Sequence, residues 1–215
     1  MHHYQHRILT TMDETGFGVK YENNLSSYIP HHWHKAVELL LFVKGKVYCN
    51  FENAKLQFKK GDIALINSHE VHETKCSRKA IYLVIHIDPT IMCRYVPTFD
   101  QLRFSLAHDP EDQEKASAYA QLREHMQQIL QLTEEEGDPA GKLERQARLF
   151  ALACILVKHF SQPLATEETR LQRSDMTRLE PILEYTRVHH SEELTLDGAA
   201  NAMGLNREYF CRLFK

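Results

Sequence analysis

The sequence lacks a paired cysteine framework, a long apolar run and an excess of basic charge. Its five cysteines, Cys49, Cys76, Cys93, Cys154 and Cys211, are odd in number, widely spaced and never arranged as C-x-x-C. This argues against both a disulfide scaffold and a zinc finger and leaves ordinary buried or half-buried thiols. The longest uninterrupted apolar stretch, Leu149 to Val157, falls well short of the roughly 20 residues that cross a bilayer. The opening residues MHHYQHRILTTM carry neither the apolar core nor the small-residue cleavage site of a signal peptide, so a cytoplasmic protein without a membrane span is expected. The formal charge of −3 gives no global footprint for nucleic acid, and any DNA binding has to be local.

What is present divides into three regimes. The 215 residues, 43% of them apolar, suffice for one sizeable core and a smaller second domain. From about Tyr21 to Asp88 the runs ELLLFV, KVYCNF, KLQFKK, IALIN and AIYLVIHI are separated by Glu52-Asn53, Gly61-Asp62 and Ser77-Arg78. Short strands at this spacing predict an antiparallel sandwich or small barrel. From Glu111 to Phe160 the period becomes helical. Ala116, Tyr119, Leu122, Met126 and Ile129 define one face. After Gly137-Asp138-Pro139 a second helix carries Leu143, Ala147, Phe150, Ala151, Cys154 and Ile155, with Leu149, Leu152 and Leu156 on a neighbouring face. So broad a stripe needs more than one neighbour, either within the chain or in a second copy. The polar segment SQPLATEETRLQRS, residues 161 to 174, is expected to be a linker.

The last segment predicts three helices. Pro181 belongs in the first turn of a helix starting near Arg178, with Leu179, Ile182, Leu183 and Thr186 inward. Thr195 caps a second helix whose Leu196, Ala199, Ala200 and Met203 share a face, and Gly204 suits the left-handed position that ends it. Asn206 caps a third, with Leu205 packing on Phe210; Tyr209, Phe210, Leu213 and Phe214 point inward and Arg207, Glu208, Cys211, Arg212 and Lys215 outward. Two helices joined by a short glycine-containing turn can present such side chains to a major groove. From Arg173 to Lys215 there are six basic and seven acidic residues, whereas the last ten residues hold three basic and one acidic. Spacing alone therefore leaves a plain helical hairpin open.

Residues 194 to 215, L-x-L-x-x-A-A-x-x-M-G-L-N-x-x-Y-F-x-R-L-F-K, resemble the first helix-turn-helix of the AraC/XylS family of bacterial transcription regulators. The resemblance implies an α+β chain: an N-terminal cupin-like antiparallel β-barrel (residues 1–108), a helical dimerisation region (109–162), a linker (163–175) and a small all-α helix-turn-helix unit (176–215). It also implies promoter DNA and a small-molecule effector, such as a sugar, as partners, a homodimer, and DNA contacts by Asn206, Arg207, Glu208, Cys211 and Arg212. Family members carry a second helix-turn-helix beyond the equivalent of Lys215, so a truncated chain with weak DNA binding is expected. The residues up to about Met12 are expected, by the same analogy, to form an arm over the barrel.

The barrel expectation has its own motif. Metal-binding cupins have H-x-H, three or four residues, Glu, six residues and Gly; His32, His34, Glu38 and Gly45 match, and Gly61 and His72 match the eleven-residue spacing of the second motif. Asn67 and His69 replace its usual Pro and Gly, and Cys76 its final Asn. Alternation in an extended strand places His32, His34, Glu38, Leu40 and Phe42 on one face and Val37, Leu39, Leu41 and Val43 on the other. His32, His34, Glu38 and His72 are thus candidates for an effector pocket, or for a divalent metal site suited to zinc, nickel, iron or manganese. Trp33, His31 and His69 lie nearby in sequence as candidates for the pocket mouth. A metal-dependent cupin enzyme, a dioxygenase or isomerase, is the alternative; the tail favours a non-enzymatic regulator.

Overall fold

A computed structural model describes residues 5–6, 12–24, 28–51, 54–77, 80–106, 112–134, 138–164, 181–183, 185–186, 188–191 and 194–213. The chain forms two compact units, Met1–Pro163 and Leu164–Lys215.

The first unit is built on two antiparallel sheets. One has the order β1–β3–β8–β5–β6, from Gln5–His6, Tyr28–Trp33, His72–Cys76, Val47–Phe51 and Lys55–Phe58; within it only the β1–β3 pair is parallel. The other has the order β2–β9–β4–β7, from Phe17–Asn24, Ala80–Ile87, Val37–Lys44 and Ile63–Ile66. The five runs read as strands form β4, β5, β6, β7 and β9, while β2, β3 and β8 add to them. Polar residues interrupt those three, so they lack a clear two-residue period.

The two central strands of the second sheet, β4 and β9, are buried on both faces, which is why ELLLFV and AIYLVIHI read as continuous apolar runs. Leu40, Phe42, Ala64, Ile66, Tyr82 and Val84 pack with Val47, Cys49, Phe58 and Cys76 of the first sheet, forming the barrel interior. The alternate residues, Val37, Leu39, Leu41, Ile63, Leu83, Ile85 and Ile87, pack on helices.

Those helices follow a short α1 (Pro89–Met92), a turn of 3-10 helix (Phe99–Gln101) and β10 (Leu102–Phe104): α2 is Gln113–Glu134 and α3 is Pro139–His159. Asp138 caps α3 by accepting from the amides of Ala140 and Gly141, with Pro139 in the first turn. A last strand, β11 (Ser161–Pro163), pairs with β10. The helices share one core with the sheet through Tyr119, Leu122, Met126, Ile129, Leu149, Leu152 and Leu156. Two helical assignments change. Ala116 is exposed and Ala118 takes its place in the core. On α3 the Leu149, Leu152, Leu156 face is buried, while Leu143, Ala147 and Cys154 are exposed.

In the second unit Thr195 caps a helix over Leu196–Ala202, its side chain accepting from the Gly198 amide. Gly204 is left-handed at φ +66°, and the Asn206 side chain accepts from the Tyr209 amide at 2.8 Å to start the helix Arg207–Leu213. Ile182, Ala199, Ala200 and Phe210 form the core, with Tyr185, Met203 and Leu205 against it. Leu196 departs from expectation: sitting in the first turn, it is 49% exposed. The expected arm, apart from Gln5, His6 and Met12, the linker from residue 165 on, the helix start at Arg178-Leu179, and the side chains of Leu213, Phe214 and Lys215 lie outside the described residues.

Candidate functional site

His32, His34, Glu38 and His72 are all buried and meet inside the barrel, but not by the simple alternation of one strand. β3 ends at Trp33 and β4 begins at Val37. The intervening corner sends His32 into one sheet and Glu38 into the other, and His34 sits in the corner itself, where its carbonyl accepts from the His69 amide at 2.8 Å. His72, on β8, is the register partner of His32, with ring centroids 4.1 Å apart.

A fifth residue joins them. His86 on β9 is the register partner of Glu38 on β4 and is 6% exposed. Neither cupin motif reaches it. The signal was nevertheless in the sequence: in AIYLVIHI, Tyr82, Val84 and His86 share the parity of the barrel-facing side, so the lone histidine points inward.

Glu38 Oε2 is the hub. It lies 2.7 Å from His34 Nε2, 3.6 Å from His72 Nε2 and 3.7 Å from His86 Nε2. Burial would raise the Glu38 carboxyl, yet hydrogen bonds and charge from His34 and His86 outweigh it and hold the group well below 4.5. Burial is also the main influence on His72, which it lowers to about 4 against the attraction of Glu38, so its ring is neutral near pH 7.

The outward nitrogens fix the rings. Nδ1 of His32, His34 and His72 lies 2.9, 3.0 and 2.9 Å from the carbonyls of Pro30, Ala36 and Glu70. A carbonyl only accepts, so each Nδ1 carries a proton and each Nε2 is turned to the interior, the arrangement by which metal-binding histidines are oriented. Two triads have ligand atoms within 4.8 Å of one another, His32–His34–His72 and His34–Glu38–His86. Imidazoles with one carboxylate fit a zinc-class divalent ion. His86 differs, because its Nδ1 is buried with no hydrogen-bond partner among the described residues, a situation that costs about 1–3 kcal/mol when nothing satisfies it.

The residues read as a pocket mouth separate. Trp33 is buried with its ring 5.6 Å from that of His69. His69 has φ +62°, so it keeps the left-handed backbone for which the cupin pattern uses glycine. His31 points elsewhere, to Glu73 at 3.2 Å. Asn67, in the usual proline position, accepts from the Phe104 amide at 2.8 Å and donates to its carbonyl at 3.1 Å, tying the β7–β8 loop to β10.

In the tail, Arg207, Glu208 and Arg212 are exposed and Cys211 is half-buried. Arg207 reaches Asp197 at 3.3 Å, and the Arg212 guanidinium lies 5.6 Å from the Tyr209 ring centroid. Asn206 is exposed but its side-chain oxygen is engaged as the helix cap.

Comparison with known proteins adds three findings. Residues 17–153 match the family described as the AraC-like ligand binding domain. Over 201 residues, 89% of this chain and 67% of the relative, the sequence is 24% identical to an uncharacterized HTH-type transcriptional regulator, YdeC, of Bacillus subtilis (strain 168). Similar solved structures include the AraC-like transcriptional activator CuxR, with 10% identity and TM-score 0.48 over 94% of this chain and 71% of that one. They also include a cupin superfamily protein of Desulfitobacterium hafniense DCB-2, with 14% identity and TM-score 0.30 over 34% of this chain and 65% of that one.

Proposed function

The chain belongs to the AraC-like ligand binding domain family, and from that premise we propose that it is a ligand-responsive bacterial transcription regulator rather than an enzyme. The barrel takes a small-molecule effector, a sugar being one class that suits a buried polar pocket, through His32, His34, Glu38 and His72. The tail reads promoter DNA through the helix that starts after Asn206, using Arg207, Glu208, Cys211 and Arg212. The protein works in the cytoplasm as a homodimer, with the exposed apolar side chains of α3, such as Leu143, available to a second copy.

One observation carries the reading. A capped, glycine-separated pair of helices exposes two arginines in a chain whose barrel buries a separate polar cluster. An enzyme has use for the second feature alone, a regulator for both. An effector that binds two arrangements of the protein with different affinity shifts their populations, and with them the affinity for DNA.

The test is selection of genomic DNA fragments by the protein, repeated with Arg207→Ala and Arg212→Ala. Enrichment of discrete sites by the wild type, lost or relaxed in the variants, supports the reading; a base-edge arginine is worth about 1–3 kcal/mol of discrimination. Enrichment of no site by the wild type, even at low salt, would contradict it.

A further inference from the structure

We propose that the end of the barrel remote from the histidine cluster is a second, sequence-independent DNA contact, in which Lys44, Lys46, Lys59, Lys60 and Lys75 bind phosphate oxygens of the duplex backbone. The inference rests on the chain being a DNA-binding regulator and moves part of that binding onto the barrel unit.

Strand register brings the five lysines to one end. Glu38 stands near the start of β4 and Lys44 at its end; His72 opens β8 and Lys75 stands near its close. Val47, just after Lys46, pairs with Phe58, just before Lys59, and with Cys76, just after Lys75. Backbone hydrogen bonds then brace the loops. The Gly61 amide donates to the Phe42 carbonyl at 2.8 Å, and the Phe42 amide to the Asp62 carbonyl at 3.1 Å. The Lys46 amide donates to the Ser77 hydroxyl at 2.9 Å, and the Ser77 amide to the Lys46 carbonyl at 2.8 Å. Two of the turns rest on left-handed glycines, Gly45 at φ +84° and Gly61 at φ +87°. The cations therefore project from a fixed backbone.

Their charge is uncompensated. All five are exposed, and none makes an ion pair with a described residue. Asp62, in the same loop as Lys59 and Lys60, is 5% exposed, and its Oδ2 accepts from the Lys59 amide at 2.8 Å. Glu22 and Glu73, further along neighbouring strands, are engaged by Lys20 and by Tyr28 and His31 respectively. Five unpaired cations thus share one end of a barrel in a chain whose formal charge is −3. Protection of sheet edges does not account for them. Lysines deter strand addition from edge strands, whereas Lys44 and Lys75 are on β4 and β8, central in their sheets, and the other three are in loops.

The composition of the patch selects the partner. Lysine is depleted at protein–protein interfaces, and stable membrane binding takes an apolar anchor as well as basic charge. Lys-Gly-Lys at 44–46 and Lys-Lys-Gly at 59–61 offer no apolar side chain. An ammonium is a compact charge suited to phosphate oxygens, and such contacts hold and position a duplex without reading its bases. Tyr48, 41% exposed and the register partner of Lys75, adds a hydroxyl of the kind that meets phosphates. The tail has six basic against seven acidic residues from Arg173 to Lys215. The barrel end supplies the positive charge that this segment lacks.

The test is fluorescence anisotropy on a labelled duplex carrying the most enriched genomic fragment and on an unrelated duplex of equal length, with salt varied from about 50 to 200 mM. The proteins are the wild type, Lys44→Gln/Lys46→Gln, Lys59→Gln/Lys60→Gln, the four changes together, and Lys115→Gln/Lys142→Gln on the helices as a control. Each lysine–phosphate contact contributes about 0.9 to the slope of log affinity against log salt. The quadruple variant is expected to lose about 2 to 4 of that slope and about 10-fold or more in affinity near 100 mM salt, equally on both duplexes. Its melting temperature should match the wild type's, and the control pair should bind as the wild type does. An unchanged slope with site selection intact would overturn the surface and leave the proposed function standing. A reduced slope in a protein that prefers neither duplex would support the surface and contradict the reading of discrete sites by the tail. Loss confined to the selected duplex would overturn the backbone contact, as would failure of the wild type to bind either duplex at the lowest salt. Unchanged DNA binding in the quadruple variant, with loss of binding to phosphatidylserine vesicles, would overturn it in favour of a membrane surface.

Discussion

The Tyr119→Phe substitution isolates the joint between barrel and helices. β7 is the outer strand of its sheet, so some of its amides face away from the ladder. One of them, Ile63 N–H, donates to the Tyr119 hydroxyl of α2 at 3.1 Å. Phenylalanine keeps the ring in the core and removes only that acceptor, and leaving a buried donor unsatisfied costs about 1–3 kcal/mol. With a urea slope of about 2 kcal/mol/M, the midpoint for the barrel unit falls by roughly 0.5–1.5 M, with the slope unchanged. Burial raises the Tyr119 hydroxyl above 10. Its folded pKa thus exceeds the unfolded one, so its stabilisation is full below about pH 10 and is lost as pH rises through the folded value. The difference between wild type and variant should therefore narrow above pH 10. Equal urea midpoints for the two proteins at pH 7 would refute the reasoning, by showing that water satisfies the Ile63 amide.

Two further perturbations test other elements. At His69, with φ +62°, glycine should be more stable than alanine by about 1 kcal/mol, because both remove the ring and only alanine opposes the left-handed backbone; equal melting temperatures would contradict this. Among the thiols, Cys154 is exposed, whereas Cys49 is buried and pushed up to about 12, chiefly by burial and then by the Glu38 charge. Iodoacetamide at pH 8 followed by peptide mass spectrometry should label Cys154 in the folded protein and Cys49 only after denaturation.

Local chemistry made much of this legible. The five apolar runs became strands, and Asp138-Pro139, Thr195, Gly204 and Asn206 mark helix ends because each meets a specific need for a cap or a left-handed turn. The misses have physical reasons. Ala116, Leu143, Ala147 and Leu196 obey the helical period but sit toward the ends of their helices or on a second face, where periodicity cannot tell which side the core takes. Parity carried straight through residues 32 to 42 gave the convergence of His32 and Glu38 on one strand. The corner at residues 34–36 achieves it between two sheets instead. His86 was missed because motif spacing is a local signal, whereas its place beside Glu38 comes from the register of strands more than forty residues apart.

In the proposed function, what fills the barrel changes what the tail does. It is tested most directly by the affinity of the protein for its selected DNA site, at one fixed salt concentration, with the barrel ligand saturating and absent. A change of about 5- to 150-fold is expected, the usual range of coupling between sites, and it should disappear in His34→Ala. Equal affinities in the two states of the wild-type protein, or consumption of the ligand as a substrate, would contradict it.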